Sequence, residues 1–453
     1  MSKVPVIIIG GGVGGLTAAA YLSKNGINSI LIEQNSLLGG RCATRSIDGL
    51  SYEIGAIYVG GAAFDHLRDT FGLNLTTFPM RCGIKIGKGM ASFPLGKRTL
   101  IEFIFSGIPF TELLRFRAKA KILSDSDTFE KFKSVGELYD QLISNEKLRR
   151  FWDTIVAVSG VSPYGLPSRY FSQESAIAEY KGLNPEYIAG GNGQIAAKLM
   201  EVAEKKCKII MNKTIKKIII EKERVVGVEA DGENLFAETI ISNVGLRQTV
   251  LNLTRRENWK KDFYNAVSQM KETLSVVNIF IRFRKSFRLP KGYGVFFMPY
   301  DVSSEFDLLE RGEFPAKSMF IMHIPSNMEY DVKDCHRATL QFYHPRGNVN
   351  PDLVEKQAHL VLNQGLNDLF PGLAGAVTNY TIYNPKMYEK EFGLPAYVFG
   401  VEPQIQSPRV PVETDIHGLF LVGDSVSPEG PCVPQAMESG IQCGRLIAKQ
   451  NKL

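Results

Sequence analysis

The chain opens with a strand–turn–helix–strand pattern whose turn is almost entirely glycine. Residues 4–9 form an uninterrupted apolar run rich in β-branched side chains, which is typical of a strand buried on both faces of a parallel sheet. Residues 10–15 read Gly-Gly-Gly-Val-Gly-Gly, and the Ala- and Leu-rich stretch 16–24 predicts a helix that ends at Asn25-Gly26. A second apolar strand is predicted over residues 28–32. This is one βαβ unit, and it favours an α/β fold.

The glycines of this turn satisfy the spacing G-x-G-x-x-G as Gly10, Gly12 and Gly15. That spacing provides a tight turn, close approach of the backbone to a diphosphate, and close packing of the helix on the strand. Glu33 ends the second strand, where an acid hydrogen-bonds ribose hydroxyls and disfavours a 2′-phosphate, so NADP is not expected. The alternative is a glycine-rich turn in an unrelated α/β protein. The register of strand, helix and acid favours a dinucleotide site.

Size and composition exclude several other classes of protein. A chain of 453 residues and 50.4 kDa predicts two domains, and 44% hydrophobic with 22% charged residues excludes a disordered protein. The net charge of +6 comes without an arginine-rich arm or zinc-finger spacing, so no nucleic-acid partner is expected. Six widely spaced cysteines predict reduced thiols in the cytoplasm and no structural zinc. No signal peptide or membrane-spanning helix is predicted.

Four further segments carry a family resemblance. They are Leu38-Gly39-Gly40-Arg41 with the following 49–56, residues 187–193, residues 241–244, and residues 418–434. Together they resemble the flavin-containing amine oxidase superfamily, and within it the branch of carotenoid (phytoene) desaturases, carotene isomerases and retinol saturase. The resemblance implies noncovalent FAD, because relatives that attach flavin covalently use a cysteine upstream of the closing motif.

The resemblance also implies a fold, and the alternation of βαβ-like segments with strand-rich and helix-rich segments along the chain suggests a domain division. The expected fold is a doubly wound, Rossmann-like (GR2-type) FAD-binding domain, with a second domain of mixed sheet and helices for the substrate. The FAD-binding domain is expected to be discontinuous and to comprise residues 1–80, 186–260 and 410–453. Residues 81–185 and 261–409 are expected to form the substrate-binding domain. Predicted strands include 275–283, 317–324 and 418–422, and a closing helix is predicted over 433–449.

Specific roles follow from the matching motifs. Arg41 is expected to bind phosphate, since a guanidinium presents a planar fork to phosphate oxygens. Asp424 is expected to accept a hydrogen bond from the ribityl chain or to bridge to the diphosphate through water. The helix beginning at Val433 and Pro434 is expected to point its positive end at the flavin pyrimidine. The predicted cofactor contacts are Gly10, Gly12, Val13, Gly14, Gly15, Glu33, Gln34, Gly39, Gly40, Arg41, Gly55, Ala56, Ile215, Gly423, Asp424 and Val433.

The reacting side of the site is less specified by the sequence. No catalytic residue and no metal ligand set is identified, and His323, His336 and His344 are interpreted as surface or satisfied core groups. Cys432, which stands where carotenoid-type relatives carry glycine, is interpreted as a packing residue rather than a redox thiol. The expected reaction is FAD-dependent redox chemistry on a C–C or C=C bond of an apolar polyene or isoprenoid substrate by a desaturase, a saturase or a redox-neutral isomerase. The alternatives are an amine or amino-acid oxidase with Tyr397 and Phe399 as an aromatic cage, and a flavin-binding partner protein without turnover.

One segment suggests a surface for a membrane. The apolar run 100–110 precedes Arg115, Arg117, Lys119 and Lys121. Apolar bulk beside a cationic run is typical of a membrane-interface element, here on the inner face of the membrane. The alternative is a buried helix pair with a solvated basic face. The sequence does not indicate an oligomeric state.

Overall fold

The computed structural model describes residues 4–124, 131–171, 184–328, 334–428, 430 and 432–450. The strands in these residues are β1 (Val4–Ile9), β2 (Ser29–Ile32), β3 (Thr44–Ile47), β4 (Leu50–Glu53), β5 (Val59–Gly60), β6 (Thr77–Pro79), β7 (Arg81–Ile86), β8 (Gly89–Phe93), β9 (Pro185–Ile188), β10 (Cys207–Ile210), β11 (Ile215–Glu221), β12 (Arg224–Ala230), β13 (Glu233–Ser242), β14 (Val276–Arg284), β15 (Tyr293–Met298), β16 (Phe320–His323), β17 (Cys335–Tyr343), β18 (Val377–Tyr383) and β19 (Leu419–Leu421).

The α-helices are α1 (Val13–Lys24), α2 (Gly61–Asp65), α3 (Lys97–Phe105), α4 (Phe110–Ser124), α5 (Val135–Leu142), α6 (Glu146–Ala157), α7 (Gly193–Ala203), α8 (Lys261–Gln269), α9 (Val302–Glu310), α10 (Pro351–Leu360), α11 (Leu366–Leu369), α12 (Leu373–Ala376), α13 (Pro385–Phe392) and α14 (Cys432–Gln450). Wider π-helical turns lie at His66–Phe71, Gln248–Leu253 and Val361–Gly365. Within the described ranges no helix is both long and apolar enough to cross a membrane.

The first sheet has a parallel core in the order β10-β2-β1-β13-β19. β13 is long enough to continue into an antiparallel meander with β12 and β11. Alternate residues of β1 enter two different cores: Val6 and Ile8 pack with α1, α7 and α14, whereas Ile7 and Ile9 pack with β11, β12 and α8. Burial on both faces explains why β1 is apolar throughout.

The second sheet is mixed, in the order β18-β14-β17-β16-β15-β7-β8, and only β15 and β7 are parallel neighbours. It too is covered on both faces. Phe296 enters a core with α10, α11 and α12, whereas Val295 and Phe297 enter a core with α3, α5 and α6. A β5-β9-β6 sheet and a β3-β4 hairpin complete the described sheets.

The structure corrects several sequence-based element predictions. Helix α1 begins at Val13 rather than Leu16, because Gly14 and Gly15 already belong to its first turn. The strand predicted over 317–324 begins at Phe320, and every residue of it is buried, so its sequence does not alternate. The region 81–185 contributes strands β7 and β8 to the second sheet in addition to its helices. The α/β fold is confirmed, while the domain division stays a prediction.

Candidate functional site

A cavity of about 650 Å³ lies between the two large sheets. One wall is formed where β1, β2, β13 and β19 reach their carboxyl ends, at Gly10, Glu33, Asn243 and Gly423. The opposite wall comes from β14, β16 and β17 of the second sheet. Ligands of α/β proteins bind at the carboxyl edge of the parallel strands, so this cavity is the candidate site.

Glycine backbones from three distant segments converge on the first wall. Gly39 donates its amide hydrogen to Gly11 O at 2.8 Å, which brings the Gly-Gly-Arg segment against the glycine turn. A Cβ added to Gly40 would lie 3.4 Å from Gly12 Cα, and one added to Gly14 would lie 3.1 Å from Gly423 N. Because the glycines carry no side chains of their own, the backbone at the start of α1 forms part of the cavity lining. Such a cradle fits a diphosphate.

Gly15 is the one predicted contact residue that does not line the cavity. It lies beneath the cradle, where an added Cβ would approach Gly10 O to 2.2 Å. This is the close packing of helix on strand that the third glycine of the motif provides. The cavity is lined by the other predicted contacts, namely Gly10, Gly12, Val13, Gly14, Glu33, Gln34, Gly39, Gly40, Arg41, Gly55, Ala56, Ile215, Gly423, Asp424 and Val433. Their contacts with the cofactor itself stay predictions.

Asn243 is a site residue that the sequence motifs did not single out. It follows β13, and its side chain sits over the start of α1. Turned so that its oxygen faces the helix, the Asn243 amide accepts hydrogen bonds from Gly12 N at 3.2 Å and Gly15 N at 3.3 Å. It thereby caps a helix that has no side-chain cap of its own. The Ser-Asn pattern at 242–243 was the available signal.

Glu33 uses both carboxylate oxygens to organise the loops around it. Its Oε2 accepts from Gly11 N at 2.6 Å, and its Oε1 accepts from Asn35 N at 2.8 Å. The side chain also lines the cavity, beside Gln34 and Ile215. Each carboxylate oxygen can accept a second hydrogen bond, so the predicted ribose contact is compatible with this geometry.

Arg41 and Asp424, predicted as separate cofactor contacts, bind each other. Arg41 Nη2 lies 2.7 Å from Asp424 Oδ2, and Arg41 Nη1 donates to the carbonyls of Tyr397 and Val398 at 3.2 and 2.9 Å. The guanidinium also stacks over the Tyr397 ring, 4.7 Å from its centroid. Burial acts to lower the pKa of Arg41, but the Asp424 charge and hydrogen bond raise it overall. The arginine therefore stays cationic within the cavity wall.

Glu53 is a second residue whose contacts the sequence motifs did not reveal. Its carboxyl is buried and accepts from Asn192 N at 3.0 Å and from Thr44 Oγ1 at 3.0 Å. Asn192 Nδ2 donates in turn to Ala56 O at 2.7 Å, so β4, the 190–193 turn and the cavity wall are joined. Burial raises the pKa of Glu53 to about 8, although these hydrogen bonds act in the other direction.

The first turn of α14 reaches the cavity through Cys432 and Val433. Pro434 is its third residue, as expected for proline near a helix start. Cys432 has φ of +86°, in the left-handed region that favours glycine. A glycine at this position would adopt the same φ without the strain that a Cβ brings.

The wall from the second sheet is apolar. Its described lining residues include Val276, Met319, Phe320, Ile321 and Phe342, together with Gln341 and Tyr343. Gln341 Nε2 donates to Asn278 Oδ1 at 2.7 Å, and the Tyr343 hydroxyl donates to Ala157 O. The polar atoms that make these bonds are thus directed into the protein, and no charged side chain belongs to this wall in the described ranges.

The three predicted core or surface histidines do not form a common site. Burial lowers the pKa of His323 to about 3, and its Nδ1 has no hydrogen-bond partner in the described part of the chain, so the expectation of a satisfied core group is wrong for this residue. His336 Nδ1 pairs with Ser326 Oγ at 3.1 Å, and His344 Nδ1 donates to Pro345 O at 2.6 Å.

Comparison with known proteins decides the family. The model of the flavin-containing amine oxidoreductase family matches residues 13–448. The chain belongs to this family. It is therefore a flavin-dependent oxidoreductase, and the glycine cradle described above fits the dinucleotide part of a flavin cofactor.

Similar proteins of known name span the whole chain at low identity. Prolycopene isomerase from Daucus carota is 23% identical over 98% of this chain and 79% of its own length. All-trans-retinol 13,14-reductase from Homo sapiens is 22% identical over 99% of this chain and 86% of its own length. A solved oxidoreductase from Methanosarcina mazei superposes with a TM-score of 0.72 at 19% identity, covering 97% of this chain and 100% of that one. The last comparison supports the fold alone.

Proposed function

We propose that this chain binds FAD noncovalently and catalyses a redox reaction on a C–C or C=C bond of an apolar polyene or isoprenoid substrate. Desaturation, saturation and isomerisation through transient reduction all fit one such site. The relatives named for prolycopene and for all-trans-retinol act on conjugated hydrocarbon chains, which is the substrate class proposed here. The cysteine usage supports a cytoplasmic location for the reaction.

The observation that carries the proposal is the uncharged second-sheet wall. A hydrocarbon substrate needs a pocket that buries it without leaving polar groups unpaired. Val276, Met319 and Phe320 supply apolar surface there, and hydrogen bonds direct Gln341 Nε2 and the Tyr343 hydroxyl inward. The bound flavin would supply hydride acceptance and return, so this wall has only to hold a C–H or C=C bond against the ring and to exclude water.

The proposed FAD contacts use groups already in place. The glycine cradle and the amides at the start of α1 would hold the diphosphate, and Glu33 would hold the ribose. The first turn of α14, at Val433, would face the flavin pyrimidine with the positive end of the helix. Cys42 and Cys432 are the cysteines that line the cavity in the described residues. Burial raises the pKa of the Cys42 thiol, which makes it a poor nucleophile and supports noncovalent binding.

The arrangement around Tyr397 argues against an amine substrate. An aromatic cage attracts an ammonium through the faces of its rings, but the Tyr397 ring already has the Arg41 guanidinium 4.7 Å from its centroid. Glu272, a carboxylate on the cavity lining, is likewise paired, with Arg247 Nε at 2.9 Å. A second cation at either position would meet a positive charge.

The test is a spectrum followed by turnover. Purified protein should show flavin absorption, and acid precipitation should release the flavin into the supernatant as FAD. Under anaerobic conditions, oxidised and photoreduced protein would then be given prolycopene or all-trans-retinol in detergent micelles, with products resolved by chromatography. The proposal expects a changed double-bond pattern. Peroxide formation with an amine panel and no change in either polyene would support the amine oxidase alternative instead. If none of the tested acceptors reoxidises the reduced flavin, the result would support a non-catalytic protein.

A further inference from the structure

An unusual share of the exposed apolar surface is concentrated on one helix pair. Thirteen large hydrophobic side chains are exposed in the described residues, and six of them fall between residues 100 and 114. Phe105 is the most exposed of all, at 84%. We call these six the α3–α4 patch: Leu100, Ile101, Ile104, Phe105, Phe110 and Leu114. A concentration of large exposed apolar side chains is typical of an interaction site.

The helical geometry places the exposed residues of each helix on one side of that helix. Leu100, Ile101, Ile104 and Phe105 follow the i, i+1, i+4, i+5 spacing that places them along one side of α3. Thr99 and Phe103 are buried on the other side. On α4, residues four apart, at 110 and 114, again share a side and are both exposed. The alternative of a buried apolar helix pair therefore fails for these six residues.

Basic residues flank the patch in the sequence. The segment 97–119 contains five basic and two acidic residues. Both acids are already paired: Glu102 Oε1 lies 2.8 Å from Arg98 Nε, and Glu112 contacts Arg115. Lys97 and Arg117 are exposed. The side chain of Lys121 lies outside the described part of the structure, and Lys119 donates to Gln141 O at 2.8 Å.

The patch lies on the core that also closes the candidate site. Phe103 and Ile108, buried beneath α3 and the turn that follows it, belong to the same apolar cluster as Ile57 and Ile321. Ile57 and Ile321 line the cavity. The helices that expose the patch therefore pack on the substrate side of the molecule rather than on the first sheet.

We propose that the α3–α4 patch docks this protein on the surface of an anionic lipid bilayer. The six apolar side chains would enter the boundary between headgroups and acyl chains, and the exposed Lys97 and Arg117 would contact lipid phosphates. A second copy of the chain is a poorer occupant, because a two-fold contact through the patch would bring two basic rims together. The further step, uptake of substrate from the bilayer, rests on the proposed function, whereas docking does not.

The experiment is vesicle co-sedimentation of the purified holoprotein. Vesicles of phosphatidylcholine with phosphatidylglycerol would be compared with vesicles of phosphatidylcholine alone. The double variant Ile104→Ser/Phe105→Ser should bind the anionic vesicles at least about tenfold more weakly, because it removes buried apolar area. Lys97→Glu/Arg117→Glu should lose the preference for the anionic lipid. Leu353→Ser/Met387→Ser, which alters exposed apolar residues elsewhere, is the matched control and should bind as the parent does.

Two outcomes would overturn the proposal. One is equal vesicle binding by the patch variants and the control. The other is a lipid-independent dimer in analytical ultracentrifugation that the patch variants dissociate. Flavin absorption and turnover of a detergent-dissolved substrate are measured on the same samples. Normal turnover without docking would refute docking and leave the proposed function standing. Docking without turnover would support docking and refute the proposed function.

Discussion

Arg41 and Asp424 form an ion pair of 2.7 Å although 383 residues separate them in the chain. The pair joins the Gly-Gly-Arg segment to the closing segment before α14. Asp424 Oδ2 also accepts from Gly400 N at 3.2 Å, and Arg41 donates to two neighbouring carbonyls at 397 and 398. One carboxylate thus holds three cavity-lining segments in place, with its side chain only 16% exposed.

Asp424→Asn should therefore weaken both folding and flavin binding. The amide preserves the size of the side chain but leaves a mostly buried guanidinium without its counter-charge. We expect a loss of about 2 kcal/mol in the free energy of unfolding, less than for a fully buried pair because some solvent reaches it. Urea unfolding and the ratio of flavin to protein absorbance measure the two effects. Asp415→Asn, at the exposed pair with Lys260, is the control, and equal behaviour of the two variants would contradict the argument.

Gly15→Ala tests the packing beneath the glycine cradle. Its added Cβ would lie 2.2 Å from Gly10 O, so α1 must move away from β1. We expect a loss of about 2 to 3 kcal/mol in unfolding free energy together with loss of flavin. Gly375→Ala, in α12, adds a Cβ that meets nothing within 4 Å, and it should be neutral or slightly stabilising. Thermal unfolding of both variants, with and without added FAD, distinguishes a packing defect from a general effect of removing glycine.

The parts of the fold that could be predicted are those encoded within a short stretch of chain. The β1–α1–β2 unit follows from its apolar run and glycine spacing. Asp231-Gly232, a dipeptide typical of a hairpin turn, has φ of +48° and +82° and connects antiparallel β12 and β13. The second sheet was harder to predict, because burial on both faces removes the alternation that marks a strand.

The same distinction applies to the site. The residues that line the cavity were largely predictable, because each motif lies within a short stretch of chain and the local backbone conformation or packing explains its glycines. Their partners were not, because these contacts form only after distant segments meet. Asn243 reaches Gly12 N, at the N-cap of α1, across 231 residues, and Glu53 meets Asn192 across 139. Periodicity carries no information about such pairs.

Cys432→Gly should stabilise the protein. The φ of +86° at Cys432 is costly for a residue with a Cβ and costs glycine little. Part of the gain is offset by the greater freedom of glycine in the unfolded chain, so we expect about 0.5 to 1 kcal/mol net. Cys432→Ala removes the thiol but keeps the Cβ, and it should show no such gain in denaturant unfolding. A gain in the alanine variant equal to that in the glycine variant would assign the effect to the thiol instead of the backbone.

Glu53 should make stability fall as the pH rises. Burial holds its folded-state pKa at about 8, above the 4.5 of an unperturbed glutamate, so between these values the folded protein binds a proton that the unfolded chain releases. The stabilisation is complete below about pH 4.5 and is lost as the pH rises through about 8. We expect Glu53 to contribute a loss of about 2 kcal/mol in unfolding free energy between pH 6 and pH 8.

Glu53→Gln imitates the neutral carboxyl and can still accept from Asn192 N, so its unfolding free energy, measured in urea across this range, should fall less steeply than that of the parent. Glu402, whose pKa burial raises to about 7, titrates in the same window in both proteins and cancels in the comparison. If the unfolding free energies of parent and variant instead change in parallel with pH, the Glu53 carboxyl is already charged in the folded protein. Groups beyond its present hydrogen-bond partners would then offset the cost of burying that charge.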